Sequence, residues 1–272
     1  PQILMTLADR STQVLTPRER VAFIGNLAAL MNAGMIHGDQ YLAALSKFAA
    51  DPEPRVIGVL AGALGNVKQA FVPSEMQEPY ARYIRRTLGP ALERMGMERR
   101  PGEDESVSVV RPQLLGWLGD EGADEKVVAH AEKLSRAYLA DPGSVDPSVA
   151  GAVLSLAAIR GDRALFDEYR RRFETAKIPA ERARFLSAMG NFREPALMEE
   201  AIKYSLQGPL RPQEIFQLTG GLGDAEAGRE RLYRFVTENY TAITSKMPPD
   251  FAGFLPFVAA GCEPARLDAA KA

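Results

Sequence analysis

The chain has 272 residues, 46% of them hydrophobic and 25% charged, which is the composition of a globular protein able to bury a sizeable core. Its 33 basic and 35 acidic residues are mixed along the sequence and leave a net charge of −2, so no basic stripe invites nucleic acid and no acidic tail invites a charge-driven partner. No apolar run approaches the length needed to span a bilayer, and a single cysteine, Cys262, excludes an intrachain disulfide while leaving the compartment open.

The first element opens without a cap, because Pro1-Gln2-Ile3 leads directly into the apolar pattern of Ile3, Leu4 and Leu7. Leu15 to Leu45 reads LTPRERVAFIGNLAALMNAGMIHGDQYLAAL and holds a better-marked helix and its successor. Thr16 is an N-cap, Pro17 occupies the first helical position and Glu19 closes a capping box. Val21, Ile24, Leu27, Ala28 and Met31 then recur on one face, and Gly34 stops the helix. Further starts are marked by proline at Pro54, Pro73, Pro147, Pro179, Pro195 and Pro212, since a first turn has no use for the missing N–H. Stops are expected at Gly65, Gly119, Gly161, Gly190, Gly208 and Gly223. A long helix is predicted from Ser74 to about Met97, followed by a loop over Arg99 to Ser106 (RRPGEDES) that interrupts the helices without dividing the domain.

Two later stretches complete the pattern. Glu181 to Gly208 reads ERARFLSAMGNFREPALMEEAIKYSLQG, a helix, a turn and a second helix opened by Glu194-Pro195. Gly208 to Thr244 reads GPLRPQEIFQLTGGLGDAEAGRERLYRFVTENYTAIT. Its first helix starts after Pro209 and buries Ile215, Phe216 and Leu218 before Gly220-Gly221 end it; its second carries Leu232, Phe235, Val236, Asn239 and Tyr240 on one face. A last helix opens at Pro264 with Ala265, Leu267, Ala269 and Ala270. Period-two alternation is almost absent, so the fold expected is all-α. Short links between amphipathic helices imply antiparallel pairs, stacked as a right-handed superhelix of the HEAT or armadillo kind, in a single helical-repeat domain over residues 1–272.

Three of these stretches resemble the C-terminal helical domain of the aminopeptidase N family of zinc metallopeptidases, the endoplasmic-reticulum aminopeptidase C-terminal-like domain. In the last of them the matching residues are Arg211, Gln213, Glu214, Gly228, Arg229, Tyr233, Phe235, Asn239 and Tyr240. Two family tryptophans are tyrosines here, so the resemblance is to a distant branch. It implies that the chain is a fragment of a larger metallopeptidase, cut at both ends, and that the complete enzyme removes N-terminal residues from peptides. It also implies that zinc lies in a catalytic domain of the same polypeptide, outside this chain, while this domain caps the active-site chamber and limits peptide access. Exposed apolar surface left at the ends would favour self-association of the fragment. The rival reading is a free-standing helical-repeat scaffold that binds a protein partner.

The chemistry-bearing residues agree with a domain that has no catalytic or metal-binding residues of its own. A gluzincin zinc site needs two histidines one helical turn apart, whereas His37 sits in a turn and His130 has no partner at i+4. The family's Gly-x-Met-Glu-Asn substrate-amine motif is also absent. Cys262 reads as a small helix-end residue, and the glycines of LTGGLGD (Leu218 to Asp224) as a helix C-cap in place of a phosphate loop, because they follow a helix and lack Lys-Ser/Thr. The acidic run Asp120 to Glu125 reads as a solvated turn with an N-cap, and the arginines of YRRRF (Tyr169 to Phe173) as paired to Asp167, Glu168 and Glu174 on a helix surface. Trp117, among Leu114, Leu115 and Leu118, is expected in the core. Arg211, Gln213 and Glu214 are the polar residues placed to face a substrate chamber or, by the more structural reading, to bond the carbonyls at the preceding helix end.

Overall fold

A computed structural model describes residues 2–224, 226–259, 268 and 271. The described residues form α-helices joined by turns, with no strand among them. The first are α1 (Gln2–Asp9), α2 (Ser11–Val14), α3 (Pro17–Asn32), α4 (Gly38–Ser46), α5 (Pro54–Phe71), α6 (Gln77–Met95), α7 (Glu105–Gly119) and α8 (Glu125–Ala140). They are followed by α9 (Pro147–Ile159), α10 (Arg163–Thr175), α11 (Pro179–Met189), α12 (Pro195–Gln207), α13 (Glu214–Asp224), α14 (Glu226–Glu238), α15 (Tyr240–Ser245) and α16 (Pro249–Ala252). By contacts the chain falls into two compact units, residues 1–130 with 143–152 and residues 131–142 with 153–272, the division passing through α8 and α9.

In the first unit α3 packs on α5, α5 on α7 and α6 on α7. The α3 cap forms as expected: the Glu19 carboxylate accepts from the Thr16 N–H at 2.8 Å, and the Thr16 hydroxyl accepts from the Glu19 N–H. Ile24, Leu27 and Met31 are buried along with Phe23, and Gly34 ends the turn at φ +69°, a conformation that costs a residue with Cβ. Leu45, Ile57, Leu60, Leu64, Ile84, Leu88, Leu114 and Leu115 continue an aliphatic core.

Two buried arginines hold this unit's loops. Arg20 donates to the Leu15 carbonyl and pairs with buried Asp51 at 2.7 Å, and Asp51 in turn accepts from the Glu53 N–H. Arg111, with no exposed surface, donates to the Gly96 and Met95 carbonyls and to both oxygens of Glu103. The expected loop is shorter than Arg99 to Ser106, because Asp104 caps α7 and Glu105 and Ser106 are already helical, and it is not wholly solvated, since Glu103 contributes a buried carboxylate.

In the second unit α10 packs on α11, α11 on α13, α12 on α13 and α13 on α14. Its core is a run of touching rings: Phe166 lies edge-on to Phe192 at 5.1 Å, Tyr169 reaches both Phe185 and Phe192, and Tyr138 reaches Phe185. The Tyr169 hydroxyl bonds Ser135 and donates to the Leu154 carbonyl, so the ring group buries no orphan polar atom there. Ile215, Leu232, Val236, Ile243, Met247 and Leu255 form a further apolar cluster.

Proline placed α5, α9, α11 and α12 correctly, each beginning at the proline. Pro90 and Pro112, by contrast, lie inside α6 and α7, and Pro212 precedes its helix by two residues. Several glycine stops also fail. Gly65 lies within α5, and α13 begins at Glu214 and runs through Gly220, Gly221 and Gly223 to Asp224, so LTGGLGD is helix interior and not a cap. The reason is packing. A Cβ on Gly221 would fall 2.6 Å from the Asn191 amide, and one on Gly190, the residue after α11, would fall 2.0 Å from the Leu218 carbonyl oxygen. The two backbones cross where side chains have no room. Tyr240 is exposed at the start of α15, and Trp117 is only half buried, its ring lying over Gly65. Cys262, and Pro264, Ala265, Leu267, Ala269 and Ala270 of the last expected helix, lie outside the described residues.

Candidate functional site

The expected polar trio lies at the turn between α12 and α13, but only Glu214 is buried; Arg211 and Gln213 are exposed. Glu214 closes the first turn of α13 on itself by accepting from the Arg211 N–H at 2.7 Å, an acidic cap in the position that a helix N-terminus favours. Its other partner is Arg182 of α11. The guanidinium meets the carboxylate with two hydrogen bonds, Nε at 2.7 Å and Nη2 at 3.1 Å, the bidentate geometry in which arginine binds carboxylates most firmly.

Arg182 does more than pair. It donates to the Pro209 carbonyl at 2.8 Å and to the Phe173 carbonyl at 3.2 Å, and it lies over the Phe173 ring at 3.8 Å from the centroid. The end of α10, the turn after α12 and the start of α13 thus converge on one side chain of α11. The bond to the preceding helix end expected of the Arg211 side chain is made by Arg182. Sequence reasoning missed this residue because its partner is 32 positions away and no local spacing announces the pair.

The electrostatics follow from this geometry. Burial alone would raise the Glu214 carboxyl, yet hydrogen bonds from Arg182 and the Arg211 amide bring it below the ordinary carboxylate range. Glu214 in turn raises the Arg182 guanidinium further. Alongside, the Tyr204 hydroxyl donates to Glu174 at 2.8 Å, and burial first, then that carboxylate, pushes the phenol upward. An ionised carboxylate clamped between donors suits the fixing of helix ends, and the cluster sets no nucleophile beside a free base.

The other candidates lie elsewhere on the helices. The arginines of YRRRF pair on the α10 surface, Arg170 with Asp167 and with Glu200 of α12, Arg171 and Arg172 with Glu168; Tyr169 and Phe173 point into the core. Glu174 instead accepts from Tyr204. Asp124 N-caps α8 by accepting from the Lys126 and Val127 amides, as the acidic turn suggested. His37 precedes α4, where its N–H donates to Gln40 Oε1, and His130 lies within α8. Among the described residues no group of three or more His, Cys, Asp or Glu is arranged to hold a metal ion, and no helix is long and apolar enough to cross a membrane.

Comparison with known proteins gives this all-helical chain its class. The ERAP1-like C-terminal domain family matches residues 1–272, and the chain belongs to that family. Among curated proteins it is 20% identical over 238 residues to Aminopeptidase 2 of Candida albicans, covering 86% of this chain and 26% of that protein. It is 20% identical over 245 residues to the mitochondrial Aminopeptidase 2 of Saccharomyces cerevisiae, covering 88% and 25%. To the puromycin-sensitive aminopeptidase of Caenorhabditis elegans it is 22% identical over 249 residues, covering 90% and 26%. The chain thus spans about a quarter of the length of the curated relatives it matches.

Proposed function

We propose that the chain is the non-catalytic C-terminal helical domain of a zinc-dependent aminopeptidase, and that it caps the active-site chamber and limits which peptides enter. The observation that carries this reading is the family match over the whole chain, together with relatives that are aminopeptidases by name. The zinc belongs, on this reading, to a catalytic domain elsewhere in the polypeptide. The described donors do not fit it: His37 and His130 lie on α4's approach and within α8, and the described residues offer no three-ligand group. No step of hydrolysis is therefore assigned to these residues. Their part is mechanical. Arg182 and Glu214 hold successive helix ends in register, which gives a chamber wall a fixed shape. Arg211 and Gln213, exposed beside that clamp, are the side chains proposed to meet peptide.

The experiment compares the full polypeptide, the same polypeptide lacking this domain, and the isolated chain. Cleavage of an amino-acid anilide and of a peptide length series is measured for each. The isolated chain is expected to cleave neither and to retain no stoichiometric zinc, and the truncated enzyme to lose its discrimination among peptide lengths. An isolated chain that holds one equivalent of zinc and cleaves the anilide would overturn the reading. So would a parent reading frame without His-Glu-x-x-His, which would favour the free-standing scaffold.

A further inference from the structure

Helix α13 ends in a run that its surroundings explain only in part. Three of its last five residues are Gly220, Gly221 and Gly223, and each makes a helix less favourable than alanine would by roughly fivefold. Gly221 is required by packing, since its Cβ would meet the Asn191 amide and the Gly190 backbone, just as the Leu218 carbonyl leaves no room for a Cβ at Gly190. Gly220 and Gly223 are not. Among the described residues, no atom of another element lies within 4 Å of the place where either would carry its Cβ. The two sides of this run are also held differently. Before it, Glu214 is clamped to Arg182 of α11, and the Leu218 carbonyl lies against Gly190. After it, the Gly221 and Gly223 carbonyls accept from Arg193 and Arg229, and α14 meets α12 through the partly exposed pair Arg231–Glu199 at 3.2 Å. The packing loosens at the same point. Phe166, Phe173 and Phe192 have no exposed surface, whereas Leu232, Val236 and Met247 are each 7% exposed.

We propose that residues 220–224 are a hinge on which α14 swings against α12 while the head of α13 stays fixed on α11. The crossing of Gly190 and Gly221 is the pivot, because backbone meets backbone there and the two helices have no room to slide. Gly220 and Gly223, free of packing, give way by leaving helical φ and ψ, which glycine does without steric cost. A few residues at the end of an element are enough to take up such a change. Arg193 and Arg229 latch the closed form through the last carbonyls of α13, since the final turn of a helix has no donors of its own for them. Opening breaks the Arg231–Glu199 pair, which contributes little at the surface, and rearranges the looser of the unit's apolar clusters. The turn that carries Arg211 and Gln213, held by the Arg182 clamp, keeps its place, and the helices after α13 yield.

The test places a spin-labelled non-natural residue at two exposed positions, Lys203 of α12 and Arg234 of α14, in the polypeptide expressed from its natural reading frame. Double electron–electron resonance then reads the distance between them. Two distances are expected, against a single narrow one for the control pair at Arg171 of α10 and Lys203. Gly220→Ala with Gly223→Ala should cut the population at the second distance by at least about tenfold, since alanine favours the helical form at both positions. Gly221→Ala should act the other way and raise it, because the methyl group meets Asn191. Should that variant fail to accumulate, Arg229→Gln must raise it instead, by taking a donor from the Gly223 carbonyl. One narrow distance between positions 203 and 234 would overturn the proposal, and so would two distances that the alanine pair leaves unchanged. An equally broad control pair would overturn it as well, because the whole unit would then be loose. A fall in the second population with Gly221→Ala would mean that glycine weakens the helix without any pivot, and would sink the hinge.

Discussion

The two compact units solve the same problem, fixing the ends and loops of stacked helices, with different chemistry. Residues 1–130 with 143–152 hold both buried arginines, Arg20 and Arg111, each donating to loop carbonyls and to a buried carboxylate. Residues 131–142 with 153–272 pack linked aromatic rings, and Arg163 and Arg170 of α10 pair at the surface with Glu200 of α12. The first arrangement is sensitive to charge and the second to volume. A guanidinium in a dry site is worth most when every donor is used, whereas rings contribute in proportion to the surface they bury and the void they would leave.

The sharpest way to break the comparison is to remove one buried charge. Arg111→Ala leaves Glu103 without its partner and should cost about 3–5 kcal/mol, read as a lowered denaturant midpoint with lost exchange protection over residues 96–118. The same pair should make this unit acid-sensitive. Hydrogen bonding to Arg111 lowers the Glu103 carboxyl from 4.5 to about 2, so its stabilisation is complete above pH 4.5 and is lost as pH falls towards 2. Thermal melts of Glu103→Gln should accordingly lose part of the slope that the natural chain shows across that window; parallel curves would remove the pair from the account.

Volume is the corresponding test of the second unit. Phe192→Ala opens a void against Phe166 and Tyr169 and should cost about 3–5 kcal/mol, with no pH dependence of its own. Gly190→Ala should cost about 1–3 kcal/mol, because α11 and α13 must separate to admit the methyl group. Wild-type stability in urea for that variant would mean that the crossing is looser than its geometry. Arg171→Ala removes only an exposed pair with Glu168 and should leave the urea midpoint unchanged, so a clear loss would mean that the surface lattice acts as a network.

What could be read from the sequence was whatever depended on neighbouring residues. The α3 capping box, the proline starts of α5, α9, α11 and α12, and the Asp124 cap are short-range devices, and each appears where spacing put it. Glycine misled because its meaning is decided by what lies opposite. Gly34 has positive φ and does end a helix, but Gly221 is required by the backbone it crosses, and a helix can carry it. The candidate site was half legible for a related reason. Glu214 was found through its local motif, whereas Arg182, which gives that carboxylate its role, sits on another helix, and only the folded chain brings the two together. In the same way RRPGEDES advertises a loop and conceals that Glu103 within it is destined for Arg111.

The clamp at Arg182 also bears on how such a domain can drift in sequence. One planar group meets three separate acceptors, so its length and fork shape set the offset between helices that are far apart in the chain. Lysine would keep the charge but could not reach all three in that geometry. Position 182 is therefore bound to position 214 and to the path of the turn at 209, and a lineage that changes one must find a new solution for the others together.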